Sequence, residues 1–278
     1  MGVINITPNS FSDGGQFFGD GAALKIANQI RLFYSAQTLI IDIGAESTAP
    51  INSAVSQEEE SLRFQFFFSA LDLILDILPS LTFSIDTYRF ETFNLVLRKI
   101  RSRNKFIPVW WNDISGKCFE QAIIDLLKSD KNLHYIYCHN LAPTRNESGE
   151  HIKFIPAIHT ASGWENHLFK YFLSAFEHFE KEGVLQQIIF DPCFGFSKGP
   201  EDNFRILDIL PILIGKFQLP WVLGISRKSF LKKEVLKSKP NLEGVELLKS
   251  CKQLETSLLA RLSALVDCGK IIERTHWQ

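Results

Sequence analysis

Short apolar runs recur along the chain, separated by longer stretches in which apolar positions return every three or four residues. The runs cover Val3–Thr7, Thr38–Gly44, Thr82–Thr87, Phe106–Asp113, Tyr135–Asn140, Gln187–Pro192, Trp221–Ser226 and Lys270–His276. Several are continuously apolar and rich in β-branched residues, the pattern of strands covered on both faces. The intervening helical patterns include Ala22–Phe33, Gln57–Leu78, Tyr88–Ile100, Trp164–Lys181 and Asp202–Lys216. Ser56-Gln-Glu-Glu59 and Ser162-Gly-Trp-Glu165 read as capping boxes that open two of them. Alternating strands and helices require crossover connections and a parallel sheet. Eight such units in one chain predict an α/β fold, a (β/α)8 TIM barrel, in preference to an open sheet. No low-complexity linker interrupts residues 1–278, so a single domain is expected. The first strand begins almost at residue 1 and the last leaves no room for an outer helix. A barrel lacking native segments at both ends, cut from a longer protein, is therefore expected.

Composition narrows the function. With 278 residues the chain can bury a full core, and its net charge of −1 offers no global field for nucleic acid or anionic membrane. The basic run Arg98–Lys105 closes a predicted helix, where cations favour the negative end of the dipole. Five cysteines show no metal-ligand spacing, which suits reduced thiols in a cytoplasmic protein. No apolar stretch has the length of a membrane span, and residues 1–10 do not read as a secretory leader.

The chemistry lies where the strands end. Asn5 and Thr7 close the first; "IDIGAESTAP" (residues 41–50), "SIDT" (84–87) and "WNDISG" (111–116) close the next three. "CHN" (138–140) and "FDPCFGFSKG" (190–199) follow, then "GISRKS" (224–229) and "ERTH" (273–276). Each alone reads as turn or cap chemistry: Asp86, Asn112 and Asp113 are ordinary turn formers, and His139 is a satisfied structural histidine. Together, at one end of a barrel, they make a polar, ligand-sized pocket. Asp86, Asn112 and Asp191 suit a flat heterocycle rich in N–H groups, and Lys228 approaches it from the seventh strand. Asn5, Thr48, Arg274 and His276 lie on neighbouring strands and suit an oxyanion such as phosphate. The hard oxygens of Asn5 and phosphate would suit Mg2+.

In order, "MGVINITPNSFSDGG", "DIGAEST", "IDT", "NDISG", "DPCFGFSKG", "GISRKSF" and "RTH" span nearly the whole chain and resemble the dihydropteroate synthases, the pterin-binding barrel family of the folate pathway. The resemblance implies a transferase joining 6-hydroxymethyl-7,8-dihydropterin pyrophosphate to 4-aminobenzoate in an SN1-like reaction. It assigns the pterin to Asp86, Asn112, Asp191 and Lys228, with Cys138 where a pterin-contacting Met is common. It assigns the pyrophosphate to Asn5, Thr48, Arg274 and His276, with Mg2+ bound through Asn5. Ser226, Lys228, Phe196, Pro50 and Phe11 would line the 4-aminobenzoate site, where sulfonamides compete. The carry-over makes Asp86, Lys228, Arg274 and His276 catalytic. It also implies a homodimer and, in some relatives, fusion to another folate-pathway domain.

Three departures stand out. Ala45 and Ala49 replace the second glycine and the arginine of the usual "GGESTR" block, and Arg145 is the candidate substitute for that arginine. Cys138 replaces a methionine, and Cys193 replaces the first glycine of "DPGFGFGK". Two other readings follow: a catalytically weak or silent pterin-binding domain of a multifunctional enzyme, and a related methyl-folate methyltransferase. Retention of the charged pocket argues against the first, and the pyrophosphate corner against the second.

Overall fold

A computed structural model of the chain describes residues 1–8, 15–46, 54–116, 120–142 and 151–275. Eight parallel strands lie in sequence order: β1 (Gly2–Asn5), β2 (Ile40–Gly44), β3 (Thr82–Asp86), β4 (Val109–Asp113), β5 (Leu133–Cys138), β6 (Ile188–Asp191), β7 (Trp221–Leu223) and β8 (Ile271–Glu273). Met1, Gly2 and Val3 exchange backbone hydrogen bonds and a parallel bridge with Glu273 and Thr275, so the sheet's two edges meet. The expected barrel is what forms. Each strand falls one to three residues short of its apolar run at one or both ends, and β1 and β5 begin one and two residues before theirs.

Between the strands run α1 (Ala22–Ser35), α2 (Gln57–Leu71), α3 (Phe90–Arg103), α4 (Gln121–Ser129), α5 (Ala161–Lys181), α6 (Pro200–Phe217), α7 (Ser229–Ser238), α8 (Gly244–Ala260) and α9 (Ser263–Asp267). The Ser56 hydroxyl caps α2 by accepting from Glu59 N at 3.1 Å. Helix α2 stops at Leu71, seven residues short of the predicted end, and a 3₁₀ turn at Leu78–Ser80 carries Pro79 into β3. The cap of α5 is Thr160, whose hydroxyl accepts from Gly163 N at 3.1 Å, and Ser162 lies inside the helix. The basic run at the end of α3 is neutralised locally. Arg101 binds Asp130 at 2.8 Å and Arg103 binds Asp72 at 2.9 Å.

The main core packs outward-facing strand residues such as Ile41, Ile43, Phe83, Ile85, Trp111 and Tyr135 against the helices. A second cluster fills the barrel interior. Trp110, Ile136, Ile189 and Val222 meet there, with Met1, Ile40 and Ile272 packed against them. Strand side chains alternate faces, so residues two positions further on point into the same interior, about 6–7 Å higher. Those residues are Asp42, Asn112, Cys138, Asp191, Gly224 and Arg274, with apolar Val3 above Met1. An apolar floor thus carries a polar layer directly above it, at the strands' C-terminal ends.

Candidate active site

Asp42 anchors the polar layer. It is fully buried, and its register partner on β3 is Ser84. Ser84 Oγ donates to Asp42 Oδ1 at 2.6 Å and Asn112 Nδ2 to the same oxygen at 3.1 Å. Arg274 Nε donates to Asp42 Oδ2 at 2.8 Å, and Arg274 Nη2 reaches both Asp42 and Asp86. One guanidinium therefore bridges two carboxylates. A buried carboxylate is costly without a counter-charge, and here two share one cation. Burial pushes the Asp86 carboxyl up to about 6, with Arg274 opposing that rise and Asp42 adding to it. The two carboxylates in turn hold Arg274 firmly protonated against its own desolvation.

Asp86 sits opposite Gly44 on β2 and Asn112 on β4, while Asn5 pairs with Gly44 from the other side. A Cβ on Gly44 would lie 3.4 Å from Asp86 Cβ and 3.5 Å from Asn5 Oδ1. Glycine there keeps the space between those two side chains open. The buried Thr7 hydroxyl, two residues beyond Asn5, has no hydrogen-bond partner among the described residues.

On the other side of the pocket, the segment after β6 is folded tightly. Asp191 Oδ1 accepts from Cys193 N at 2.6 Å, and burial raises the Asp191 carboxyl above its ordinary range. Gly195 takes φ +85°, and Lys228 Cδ lies 3.5 Å from where its Cβ would be. Two non-glycine residues adopt the same left-handed backbone, Cys193 at φ +55° and Ser197 at φ +51°. That conformation costs an L-residue roughly 1–2 kcal/mol. Both positions are glycines in the "DPGFGFGK" pattern.

Lys198 secures this segment from behind. Its buried ammonium donates to the carbonyls of His139, Cys193 and Phe196 at 3.1, 3.2 and 2.7 Å. It also lies 2.9 Å from His139 Nδ1, and His139 Nε2 lies 3.0 Å from His167 Nε2. Burial lowers Lys198 to about 8 and holds His139 well below the usual imidazole range. His139 is thus the satisfied structural histidine expected.

Lys228, which precedes α7, faces the pocket with its Nζ 4.9 Å from the centre of the Phe196 ring, a cation–π contact. Burial lowers its ammonium, while Asp191 and Asp86 oppose that. Ser226 is buried beside it, and Arg227 adopts φ +59°, turning the chain between β7 and α7. The apolar run at β7 therefore delivers its lysine into a partly desolvated site lined by carboxylates.

Of the expected site residues, the polar layer and its rim hold Asn5, Asp86, Asn112, Cys138, Asp191, Phe196, Ser226, Lys228 and Arg274. Arg274 lies deeper than an open anion corner, on Asp42 and Asp86. Thr48, Pro50, Phe11 and His276 lie outside the described residues, as do Ala49 and Arg145. Asp42 and Ser84 were not singled out by sequence. The signal was a lone acid inside the apolar run "LIIDIG", facing the same way as the strand tip. Glu46, from the same block, is held outside the network by Arg89, which bonds it at 2.8 Å and Glu60 at 3.0 Å.

Comparison with known proteins decides the relationship. The family described as pterin binding enzyme matches residues 1–276. The chain belongs to the pterin-binding enzyme family. It is 33% identical to a dihydropteroate synthase of Synechocystis over 84% of its own length and 73% of that protein. It is 31% identical to the mitochondrial folate synthesis bifunctional protein of Pisum sativum over 99% of its length, and spans half of that protein. Among solved structures, dihydropteroate synthase from Anaplasma phagocytophilum with bound 6-hydroxymethylpterin-monophosphate superposes with a TM-score of 0.70. That likeness is at 25% identity, covering 99% of this chain and 92% of the other.

Metal chemistry is tested by the donors present. No group of three or more His, Cys, Asp or Glu side chains among the described residues is arranged to hold a metal ion. Mg2+ commonly takes one or two protein oxygens and completes its shell with water and substrate phosphate. A single amide oxygen at Asn5, open across Gly44, fits that mode and no all-protein cage. No helix among the described residues is long and apolar enough to cross a membrane.

Proposed function

We propose that this chain is a dihydropteroate synthase. It would join 6-hydroxymethyl-7,8-dihydropterin pyrophosphate to 4-aminobenzoate, yielding 7,8-dihydropteroate and pyrophosphate. The observation that carries this reading is the layered interior: an apolar floor under Asp42, Asp86, Asn112, Asp191, Lys228 and Arg274, all at the strands' C-terminal ends.

In this reading the flat pterin lies on the floor. Asp191 accepts from its ring N–H groups, Asn112 supplies an oriented amide, and Cys138 fills the wall. The bond from the methylene carbon to the pyrophosphate oxygen breaks first, and its electron pair leaves with pyrophosphate. The remaining cation is delocalised into the pterin and stabilised by ionised Asp86, a preorganised charge where positive charge develops. Arg274 holds Asp86 ionised and in place. Asn5, Thr48 and His276 bind the leaving group with Arg274, and Mg2+ held by Asn5 and the pyrophosphate would supply further positive charge there. Lys228 and Phe196 stand between the two substrates. Ser226, Phe11 and Pro50 complete the 4-aminobenzoate site, where a sulfonamide would compete. Exclusion of water lets the weakly nucleophilic aniline capture the cation. The residues act within one domain, as a homodimer in the cytoplasm, alone or fused to another folate-pathway domain.

Pyrophosphate release tests this reading. It should require both substrates, fall on chelation of Mg2+, and fall when a sulfonamide competes with 4-aminobenzoate. No release at saturation of both substrates overturns the synthase reading. The left-handed Cys193 and Ser197 in the Asp191 segment support a second reading, in which the chain binds pterin without turnover. Pterin binding with no pyrophosphate release favours that one.

A further inference from the structure

Two thiols meet at the wall of the pocket, and the chemistry above uses neither as a nucleophile. Cys138 ends β5, paired across the strands with Asp191, and Cys193 lies two residues beyond Asp191. Both are free and buried. They pack with Ile114 into one cluster, against which the half-buried rings of Tyr88 and Phe196 close. The two side chains thus share one small buried cluster, contributed by the end of β5 and by the segment after β6. The Lys198 ammonium lies close to Cys193, donating to its backbone carbonyl. A second thiol packed beside an oxidised one can resolve it to a disulfide.

We propose that Cys138 and Cys193 form a redox-modifiable dithiol that a small peroxide closes into a disulfide, weakening the pterin pocket. The Cys193 thiolate attacks one peroxide oxygen, the O–O bond breaks, and Cys193 sulfenic acid and water form. The Cys138 sulfur then attacks the sulfenic sulfur and expels a second water. Two thiols are oxidised by two electrons, and hydrogen peroxide is reduced to two waters. A dithiol reductant reverses the bond by exchange.

The consequence follows from what the bond would tie. Cys193 N donates to the Asp191 carboxylate, and its carbonyl accepts from Lys198. Drawing Cys193 toward β5 therefore moves the backbone that orients Asp191. The Phe196 ring under Lys228 moves with the same segment. This effect on binding rests on the pterin reading of the site, whereas formation of the bond does not.

The experiment treats the full chain with hydrogen peroxide and maps cysteine peptides before and after reduction. The expected product is a peptide pair linking 138 to 193, lighter than the two thiol peptides by about 2 Da and split by a dithiol. Binding of 6-hydroxymethylpterin should weaken about tenfold or more in the oxidised protein and recover on reduction. Saturating 6-hydroxymethylpterin should slow the bond's formation. Cys193→Gly suits the left-handed backbone there and should fold, form no such link and bind pterin regardless of peroxide. Cys138→Ser should likewise form no link. Oxidation of either cysteine only to separate acids, or a link with unchanged pterin affinity, overturns the proposal. If neither oxidised nor reduced protein binds pterin, the synthase reading falls, and the linked peptide alone decides the dithiol.

Discussion

Replacing Arg274 by methionine tests the network at the base of the pocket. The substitution keeps much of the volume and removes the one cation shared by Asp42 and Asp86. Breaking a buried pair by deleting one partner costs roughly 3–5 kcal/mol, because a charge is left without compensation. Asp42 keeps Ser84 and Asn112 as donors, while Asp86 loses its ion pair. Asp86 then lowers its cost by taking up a proton. In the unaltered protein its carboxyl is raised by burial from 3.8 to about 6. The folded state therefore binds protons more tightly than the unfolded chain, and this contribution to stability is lost as pH rises from about 4 through about 6. That gap corresponds to ~3 kcal/mol. Without Arg274 the folded carboxyl rises further, so the variant keeps losing stability above pH 6, where the parent's Asp86 contribution is flat. Urea unfolding at pH 7.5 and pH 5.5 reads both effects. With a slope of about 3 kcal/mol per molar, the midpoint should fall by about 1–1.7 M at pH 7.5. The deficit should be clearly smaller at pH 5.5. Adding Asp42→Asn should restore part of the loss. A deficit below about 1 kcal/mol, or an equal deficit at both pH values, would refute the argument that one guanidinium compensates both acids.

Other perturbations test the rest of the site and the frame. Lys228→Ala should cut kcat/KM about 10–150-fold and weaken both substrates, the loss of one charge-assisted contact; steady-state kinetics with either substrate varied checks it. Lys198→Met leaves three carbonyls without their donor and should destabilise by about 3 kcal/mol in urea. In the parent, the lowered folded value of Lys198, about 8, means stability should rise with pH from about 8 toward 10.5, and this rise should vanish in the variant. Gln37 follows α1 in the left-handed region at φ +59°, exposed to solvent. Gln37→Gly should therefore stabilise by about 1 kcal/mol, seen as a Tm higher by about 2 °C.

The strands were readable because parallel strands covered on both faces are apolar throughout, and the barrel followed from their number and spacing. Helices α4, α7, α8 and α9 were not singled out, since short or weakly patterned amphipathic segments are hard to tell from loops. The cap of α5 was placed two residues late because Thr160 and Ser162 offer the same hydroxyl chemistry. At the site, strand tips drew attention to Asp86, Asn112, Asp191 and Lys228. The partnership of Arg274 with Asp42 was invisible, because it joins residues 232 apart in sequence across the barrel. Lys198 in "FSKG" was not singled out; its four contacts depend on how that segment folds back on His139.

The stacking of an oily base beneath charged chemistry limits how such a chain can change over generations. Swapping one side chain for another retunes a single spoke of the pocket. Inserting one residue early in β4, by contrast, would send Asn112 out among the helices and bring Trp111 into its place, and a deletion there would bring in Asp113. Length variation is therefore confined to the connecting loops, and divergence in ligand preference must proceed by replacement at unchanged strand lengths.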